Sequence, residues 1–396
     1  MVEMRQDAKD GIELQVECSD DFFARYHLTS SAKTRCWAFA KTQQHHPSDD
    51  ADSQLCEASS QGFCSYTLCL GRETIIQFRP PDHRLDLGIT ALARDTYGDL
   101  VPSVRFLGDL EVEVESDRTQ EASSSSSTAS TISCPRNNTT SLSVYSMSRM
   151  AGISLADLRQ SFLTSPNSTL NEQLIKDFAH LTTRSLSSAL PSSSPSLPAR
   201  KGRVGRSLHW RLKEMHAHLP PQFRPVVQAT LDALPDIEAL PWVLTHGDVV
   251  PSNIMVGEEG GSICGLLDWE EAEYLPFGVG FYGLEELLGQ TTTHITHNSS
   301  NSTPYPPPNS HFTYLPTADS LRALFWAELE QTIPTPLRLQ RSTVERAQLL
   351  GILLWHGIAF DNGRLDRVVC EGRDDAELQR LDVMIAKFHS VSRDSA

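Results

Sequence analysis

Residues 244–274 read LTHGDVVPSNIMVGEEGGSICGLLDWEEAEY. Two apolar runs, 254–256 and 263–267, flank the glycine-rich turn signal at 257–261 and predict a β-hairpin. Pairing 254–256 against 265–267 brings Asn253 and Asp268 together at the open end, to within a residue or two. An amide oxygen and a carboxylate side by side are ligands suited to Mg²⁺, a hard ion held by few protein groups together with phosphates and water. Asp248 lies five residues before Asn253, on a loop that Pro251 keeps extended and where Gly247 permits close approach. A carboxylate beside a metal–phosphate pair can orient a hydroxyl and accept its proton, as phosphoryl transfer requires. Taken singly, Asp248, Asn253 and Asp268 read as turn and cap residues; all three in register on one hairpin do not.

Protein kinases space their catalytic Asp and metal-binding Asn in the same way and follow them with a second metal-binding Asp. The run His246-Gly247-Asp248 to Asn253, then Asp268-Trp269-Glu270, resembles the signature of the aminoglycoside phosphotransferase/choline kinase superfamily, and in particular its fungal members. The resemblance is carried by residues 240–290 and, less specifically, by 62–152. It implies an α+β, bilobal, protein-kinase-like fold: a small β-rich N-lobe and a larger helical C-lobe. It implies an ATP-dependent, Mg²⁺-assisted transfer of phosphate to an alcohol group of a small molecule. Carried over position by position, Asp248 resembles the catalytic base, and Asn253 and Asp268 the magnesium ligands. His246 resembles the histidine that positions the loop.

The family binds ATP under a strand–turn–strand loop, and residues 61–67 (QGFCSYT) resemble it, with Ser65 facing phosphate oxygens. In the strand Ile75-Ile76-Gln77-Phe78-Arg79, period-2 alternation puts Gln77 and Arg79 on one side. Arg79 resembles the residue holding the α/β-phosphates, arginine in place of lysine, with a fork suited to phosphate. The acid expected to pair with it is Asp86, in place of the usual Glu. The passage between lobes resembles a hinge offering backbone contacts to adenine around Met147 and Ser148. Acceptor contacts, by the same resemblance, fall to Glu270 and Trp355, with Glu270, Glu271 and Glu273 making an acidic mouth.

Working outward, residues 61–79 predict a hairpin about Gly71-Arg72-Glu73, with further strands at 104–115 and 143–147 and a helix at 84–97. Helices are expected at 154–163, 171–186, 205–218, 221–234, 317–331, 342–360 and 374–390, with Thr317 or Asp319 capping the fifth and a Ser342/Glu345 capping box opening the sixth. The expected domains are an N-terminal extension at 1–55 with a short helix near 20–26, an N-lobe at 56–150 and a C-lobe at 151–396. Three low-complexity stretches, 116–141, 187–204 and 291–313, read as loop insertions. Gly278-Val-Gly-Phe-Tyr-Gly283 matches GxGxxG literally but reads as structural glycine rather than a dinucleotide site, since no strand-end acid follows at the required distance.

Of 396 residues, 39% are hydrophobic and 21% charged, enough for a sizeable core. Lys and Arg number 34 against 50 Asp and Glu, a net charge of −16, which argues against a nucleic-acid partner. No long apolar run marks a membrane span, and the acidic first thirty residues argue against a secretory or transit signal. Eight cysteines without a CxxC pair fit reduced thiols in a cytoplasmic protein. A small-molecule hydroxyl acceptor is the expected partner, and no residue selects which. The rival reading is a catalytically impaired pseudokinase serving as a nucleotide- or partner-binding module; an activation-segment protein kinase is disfavoured by HGD in place of HRD.

Overall fold

Ala32, Cys36 and Ala40, spaced four apart, are all fully buried, although so weakly apolar a stripe gives the sequence little helical signal. They lie on α2 (Ser30–Thr42), which follows α1 (Ser19–Arg25). The computed structural model describes residues 19–44, 54–58, 61–115, 138–161, 168–257, 261–293, 310–361 and 364–391. It divides into two compact units, the first joining residues up to Arg84 with Phe106–Ser146, the second joining Leu85–Arg105 with the chain from Met147 onward.

In the first unit, α1 and α2 pack on a five-stranded sheet of β1 (Leu55–Glu57), β2 (Tyr66–Leu70), β3 (Thr74–Arg79), β4 (Val104–Glu113) and β5 (Thr139–Ser148), ordered β1-β2-β3-β5-β4. The predicted hairpin is β2–β3, turning at Gly71, whose φ of 65° favours glycine. Tyr66 faces Phe78 and Leu68 faces Ile76, so these four side chains point to one side, where Phe22, Phe23, Leu28 and the α2 stripe cover them. The Phe23 and Tyr66 rings meet edge-on with centroids 4.9 Å apart, and Trp37 Nε1 donates to the Tyr66 hydroxyl at 2.8 Å. The N-terminal segment expected as an extension therefore supplies a layer of this unit's core. Residues 116–137 of the expected low-complexity insertion lie outside the described residues.

The second unit opens with α3 (Leu87–Tyr97), then β6 (Ile153–Ser154), α4 (Leu155–Ser161), α5 (Ser168–Arg184), α6 (Leu197–Arg200), α7 (Leu208–His218) and α8 (Arg224–Ala239). Strand β7 (Trp242–Thr245) leads to the hairpin β8 (Ile254–Val256) and β9 (Ile263–Leu266), then β10 (Glu273–Pro276), α9 (Tyr282–Leu288), β11 (Gly289–Thr293) and β12 (Ser310–Tyr314). Last come α10 (Ala318–Thr332), α11 (Thr335–Arg338), α12 (Arg341–His356), β13 (Ile358–Asp361), β14 (Arg364–Val368) and α13 (Asp375–Val391). Among the described residues no helix is long and apolar enough to cross a membrane.

Several expectations need correction. Residues 187–204 are not a loose insertion: Leu190 exchanges backbone bonds with Trp242, and Leu197 is buried. The ends of the 291–313 stretch pair as β11 and β12. The sixth helix stops at His356 rather than 360, because Gly357 lets the chain enter β13, and it begins at Arg341 with Gln340 at its cap, so Ser342 and Glu345 form no capping box. Thr317 is the cap of α10 but makes no side-chain bond there. Gly278 proves structural: at φ 103° it lies so close to α12 that a Cβ would stand 2.7 Å from the Val344 oxygen.

Buried charges tie the late helices together. Glu285, at the start of α9, accepts from Arg322 at 2.6 and 3.1 Å and from the Tyr314 hydroxyl at 2.7 Å. Its neighbour Glu286 pairs with Arg380 at 3.2 Å and lies 3.1 Å from His356 Nε2, while His356 Nδ1 meets Glu377 at 2.8 Å. Burial opposes charge on His356, but the two carboxylates prevail and its pKa is raised.

If the N-terminal helices belong to the first unit's core, Phe22→Ala, at a residue 2% exposed, should cost about 3–5 kcal/mol of stability. Denaturant unfolding monitored by tryptophan fluorescence checks this. A loss below about 1 kcal/mol would mean the segment is merely appended.

Candidate active site

The loop between β7 and β8 is held by one imidazole. His246 is 4% exposed; its Nε2 lies 2.8 Å from the Leu267 oxygen, and its Nδ1 3.1 Å from the Asp248 nitrogen. A carbonyl can only accept and an amide N–H can only donate, so the ring is neutral with its proton on Nε2. Burial, partly offset by Asp268, lowers its pKa to about 4. The ring also packs on Trp269, centroids 4.5 Å apart. Gly247 has φ 85°, and a Cβ there would stand 2.3 Å from the Glu271 oxygen, so only glycine lets the loop lie against the segment after β9.

Asp248 and Asn253 meet directly. Asn253 Nδ2 donates to Asp248 Oδ2 at 2.7 Å and to the Asp248 backbone oxygen at 3.1 Å. That leaves Asn253 Oδ1 as the atom able to meet a cation. The register is one residue off the expected pairing: Ile254 faces Leu266, and Leu267 N–H donates to the Asn253 oxygen at 2.8 Å. Asp268 lies one position beyond, in left-handed backbone with φ 59°, rare for a side chain with a Cβ. Without that turn, a one-residue slip would send Asp268 to the opposite face.

The electrostatics are of crowded acids. Burial and then Asp268 push Asp248 up to about 7. Burial, then Asp268, Asp248 and Glu270, push Glu271 up to about 9, and among the described residues its buried Oε2 has no hydrogen-bond partner. The amide oxygen of Asn253 and the carboxylate of Asp268 are oxygen donors of the kind that fits a hard divalent cation. Glu273 departs from the acidic mouth: it is buried and accepts from the backbone of Val204 and Gly205, fixing residues 202–205 instead.

The sequence did not mark Tyr282. Its hydroxyl accepts the Val249 N–H at 2.7 Å, and its ring stacks on Trp355, centroids 4.8 Å apart and 13° between planes. Trp355 therefore reaches the loop that carries Asp248 through Tyr282. The only sequence signal for Tyr282 was its place inside the GxGxxG decoy.

On the first unit, Ser65, Gln77 and Arg79 come together as alternation predicts. Gln77 Nε2 donates to Ser65 Oγ at 2.9 Å, and Arg79 Nε donates to Gln77 Oε1 at 2.8 Å while its Nη1 reaches the His83 oxygen at 3.2 Å. Asp86, expected to pair with Arg79, is instead the N-cap of α3, its Oδ1 accepting from Gly88 and Ile89 because the first turn's N–H groups need a partner. Ser148 exchanges bonds with Ser103, and Met147 precedes it at the division between the units.

Residues 141–280 match the model of the phosphotransferase enzyme family. No curated protein matches the chain. Among solved structures, the chain is similar to the GDP complex of aminoglycoside 2'-phosphotransferase-IIIa, at 10% identity and TM-score 0.48, over 90% of this chain and 98% of that one. It is similar to ADP-bound aminoglycoside phosphotransferase APH(2'')-Ib at 11% identity and TM-score 0.46, covering 88% and 96%. To aminoglycoside phosphotransferase APH(3'')-Id from Streptomyces rimosus the identity is 11% and the TM-score 0.39, covering 81% and 99%.

His246 stays neutral in the fold to about pH 4, whereas in the unfolded chain it takes a proton near 6.5. Between those values the unfolded state binds more protons, so His246 should cost stability as pH falls from about 6.5 to 4, on the order of 3 kcal/mol in full. Denaturation at pH 7 and pH 5 should show that loss in the wild type and a shallower one in His246→Asn. Equal slopes would mean the ring is not held neutral.

Proposed function

We propose that this chain, whose residues 141–280 match the model of the phosphotransferase enzyme family, transfers the terminal phosphate of ATP to a hydroxyl of a small molecule. What carries the reading is the Asp248–Asn253 contact at 2.7 Å with Asp268 turned in left-handed backbone beyond it. Nothing in packing alone asks for an amide to be bonded to a carboxylate, Asp248, that burial penalises.

In this mechanism Asp248 is the base. Asn253 occupies Oδ2, so Oδ1 is the oxygen that receives the acceptor hydroxyl, orients it and takes its proton as the new bond forms. A pKa raised to about 7 suits that work near neutral pH. Asn253 Oδ1 and Asp268 would hold Mg²⁺, which when bound would neutralise charge on the β/γ-phosphate oxygens. Arg79 holds α/β-phosphate oxygens with its planar fork, steadied by Gln77, and Ser65 donates a hydroxyl to phosphate. Backbone at Met147 and Ser148 meets adenine, and Asp86 supports the phosphate side through the start of α3. Glu270 and Trp355 contact the acceptor, Trp355 from its stack on Tyr282. Catalysis then comes from positioning and charge stabilisation rather than covalent chemistry.

Thermal unfolding with and without ATP and Mg²⁺ tests the reading. At about 100 times Kd, a ligand bound only by the folded state adds about 2.7 kcal/mol. The expected upward shift depends on the metal and disappears in Asp268→Ala. With a panel of hydroxylated amines and sugars, Asp248→Asn should lower phosphate transfer at least 10²-fold at unchanged ATP binding. An Asp248→Asn protein as active as the wild type would overturn the assignment. Absence of any nucleotide shift would leave the fold as a binding module.

A further inference from the structure

Strands β1 and β2 are the two arms of the candidate phosphate loop, and each carries a cysteine. Their register sets Leu55 opposite Leu70, Cys56 opposite Cys69 and Glu57 opposite Leu68. Residues directly opposite across an antiparallel pair project to the same face of the sheet. On either side, Ala58 N–H donates to the Thr67 oxygen and Gly71 N–H to the Gln54 oxygen. Hydrogen-bonded pairs recur at every second residue, so Cys56 and Cys69 form one of them. At such a pair the Cα atoms stand about 5.5 Å apart, inside the span of about 4.4–6.8 Å that a disulfide bridges. The Cβ atoms, at about 4.5–5.5 Å, need to close by only about 1 Å to reach bonding separation.

The two thiols differ in access: Cys56 is exposed and Cys69 is 8% exposed. They also share a face with the residues assigned to phosphate. Ser65, Thr67 and Cys69 alternate along the chain leading into and through β2, Thr67 pairs with Gln77, and Gln77 bonds both Ser65 and Arg79.

We propose that Cys56 and Cys69 are a reversible disulfide site that staples the arms of this loop and weakens nucleotide binding. The oxidant is hydrogen peroxide. The Cys56 thiol attacks the peroxide, its S–O bond forming as the O–O bond breaks, to give a sulfenic acid and one water. The Cys69 thiol then displaces the sulfenic oxygen as a second water, closing the S–S bond. Two electrons pass from the sulfur pair to the peroxide, and a dithiol returns them. The crosslink draws β1 and β2 together on the face carrying Ser65, Gln77 and Arg79, and fixes a turn that must adapt around phosphate. A bond that forms only by drawing the strands in is of the strained, readily reduced kind that serves regulation rather than structure. Its effect on nucleotide rests on the function proposed above; its formation does not.

The test treats the full chain with hydrogen peroxide, alkylates the remaining thiols, digests without reduction and maps peptides by mass spectrometry. The expected product is a linked pair containing Cys56 and Cys69, two hydrogens lighter than the free peptides, which dithiothreitol resolves. It should be absent in Cys56→Ser and in Cys69→Ser, and intact in Cys370→Ser. Saturating ATP with Mg²⁺ should slow its formation, and the oxidised chain should bind ATP about tenfold more weakly. Peroxide-treated chain with Cys56 as a sulfinic acid, or with both thiols still alkylated, would overturn the site. A linked chain that binds ATP as well as the reduced one would overturn the effect on nucleotide. If the link forms and neither form binds ATP, the disulfide site stands and the phosphotransferase reading falls.

Discussion

The imidazole of His246 is the constraint on which the site depends. It spans from the backbone nitrogen of Asp248 to the backbone oxygen of Leu267, and so fixes the loop that carries Asp248 and the residue preceding Asp268 with one rigid ring. The bond from Asp248 N–H needs an unprotonated Nδ1 and hence the neutral ring, and burial secures it. A side chain with a different donor–acceptor pattern, or one that charged at neutral pH, would release one end or the other. Everything else at the site is arranged around that span: Gly247 admits the Glu271 backbone, Asn253 holds Asp248, and Tyr282 holds Val249.

Holding carboxylates where burial penalises them needs a rigid base. It is supplied by α9, whose glutamates 285 and 286 are each paired with an arginine, and whose C-terminal carbonyls at Glu286, Leu287 and Gly289 receive the Arg159 guanidinium. Buried ion pairs of this kind are costly to assemble and costlier to break, so they favour one arrangement of the helices over its neighbours more than they add stability. Tyr282, at the start of the same helix, passes that rigidity to the loop through the Val249 bond.

The first unit shows the opposite economy. Its core is aromatic and aliphatic on one face, with Phe22, Phe23, Tyr66 and Phe78 packed together, and its other face is a short polar relay of Ser65, Gln77 and Arg79. Strand alternation separates the two functions without any further device. The α1–α2 pair covers the apolar face, so the chain's N-terminal segment is structural where its composition suggested an appendage.

The spacing of His246, Asp248, Asn253 and Asp268, the β2–β3 hairpin and the main helices were legible because each rests on local chemistry: periodicity, turn residues and a motif with fixed intervals. Local patterns do not carry the rest. The open end of the hairpin pairs one residue from the simple expectation, with a bulge between Met255 and Val256, and Asp268 beyond it takes left-handed backbone. Helix α2 hid because its buried stripe is alanine and cysteine, and β13 because nothing local distinguishes the end of an apolar helix from the start of an apolar strand. Tyr282 and the orphaned Glu271 oxygen became visible only once distant segments met. The sequence by itself determined which groups are candidates for chemistry, since their identities and intervals are written along the chain. Tertiary structure alone decided which oxygens face one another and how far each is buried, because both depend on contacts between residues far apart in sequence.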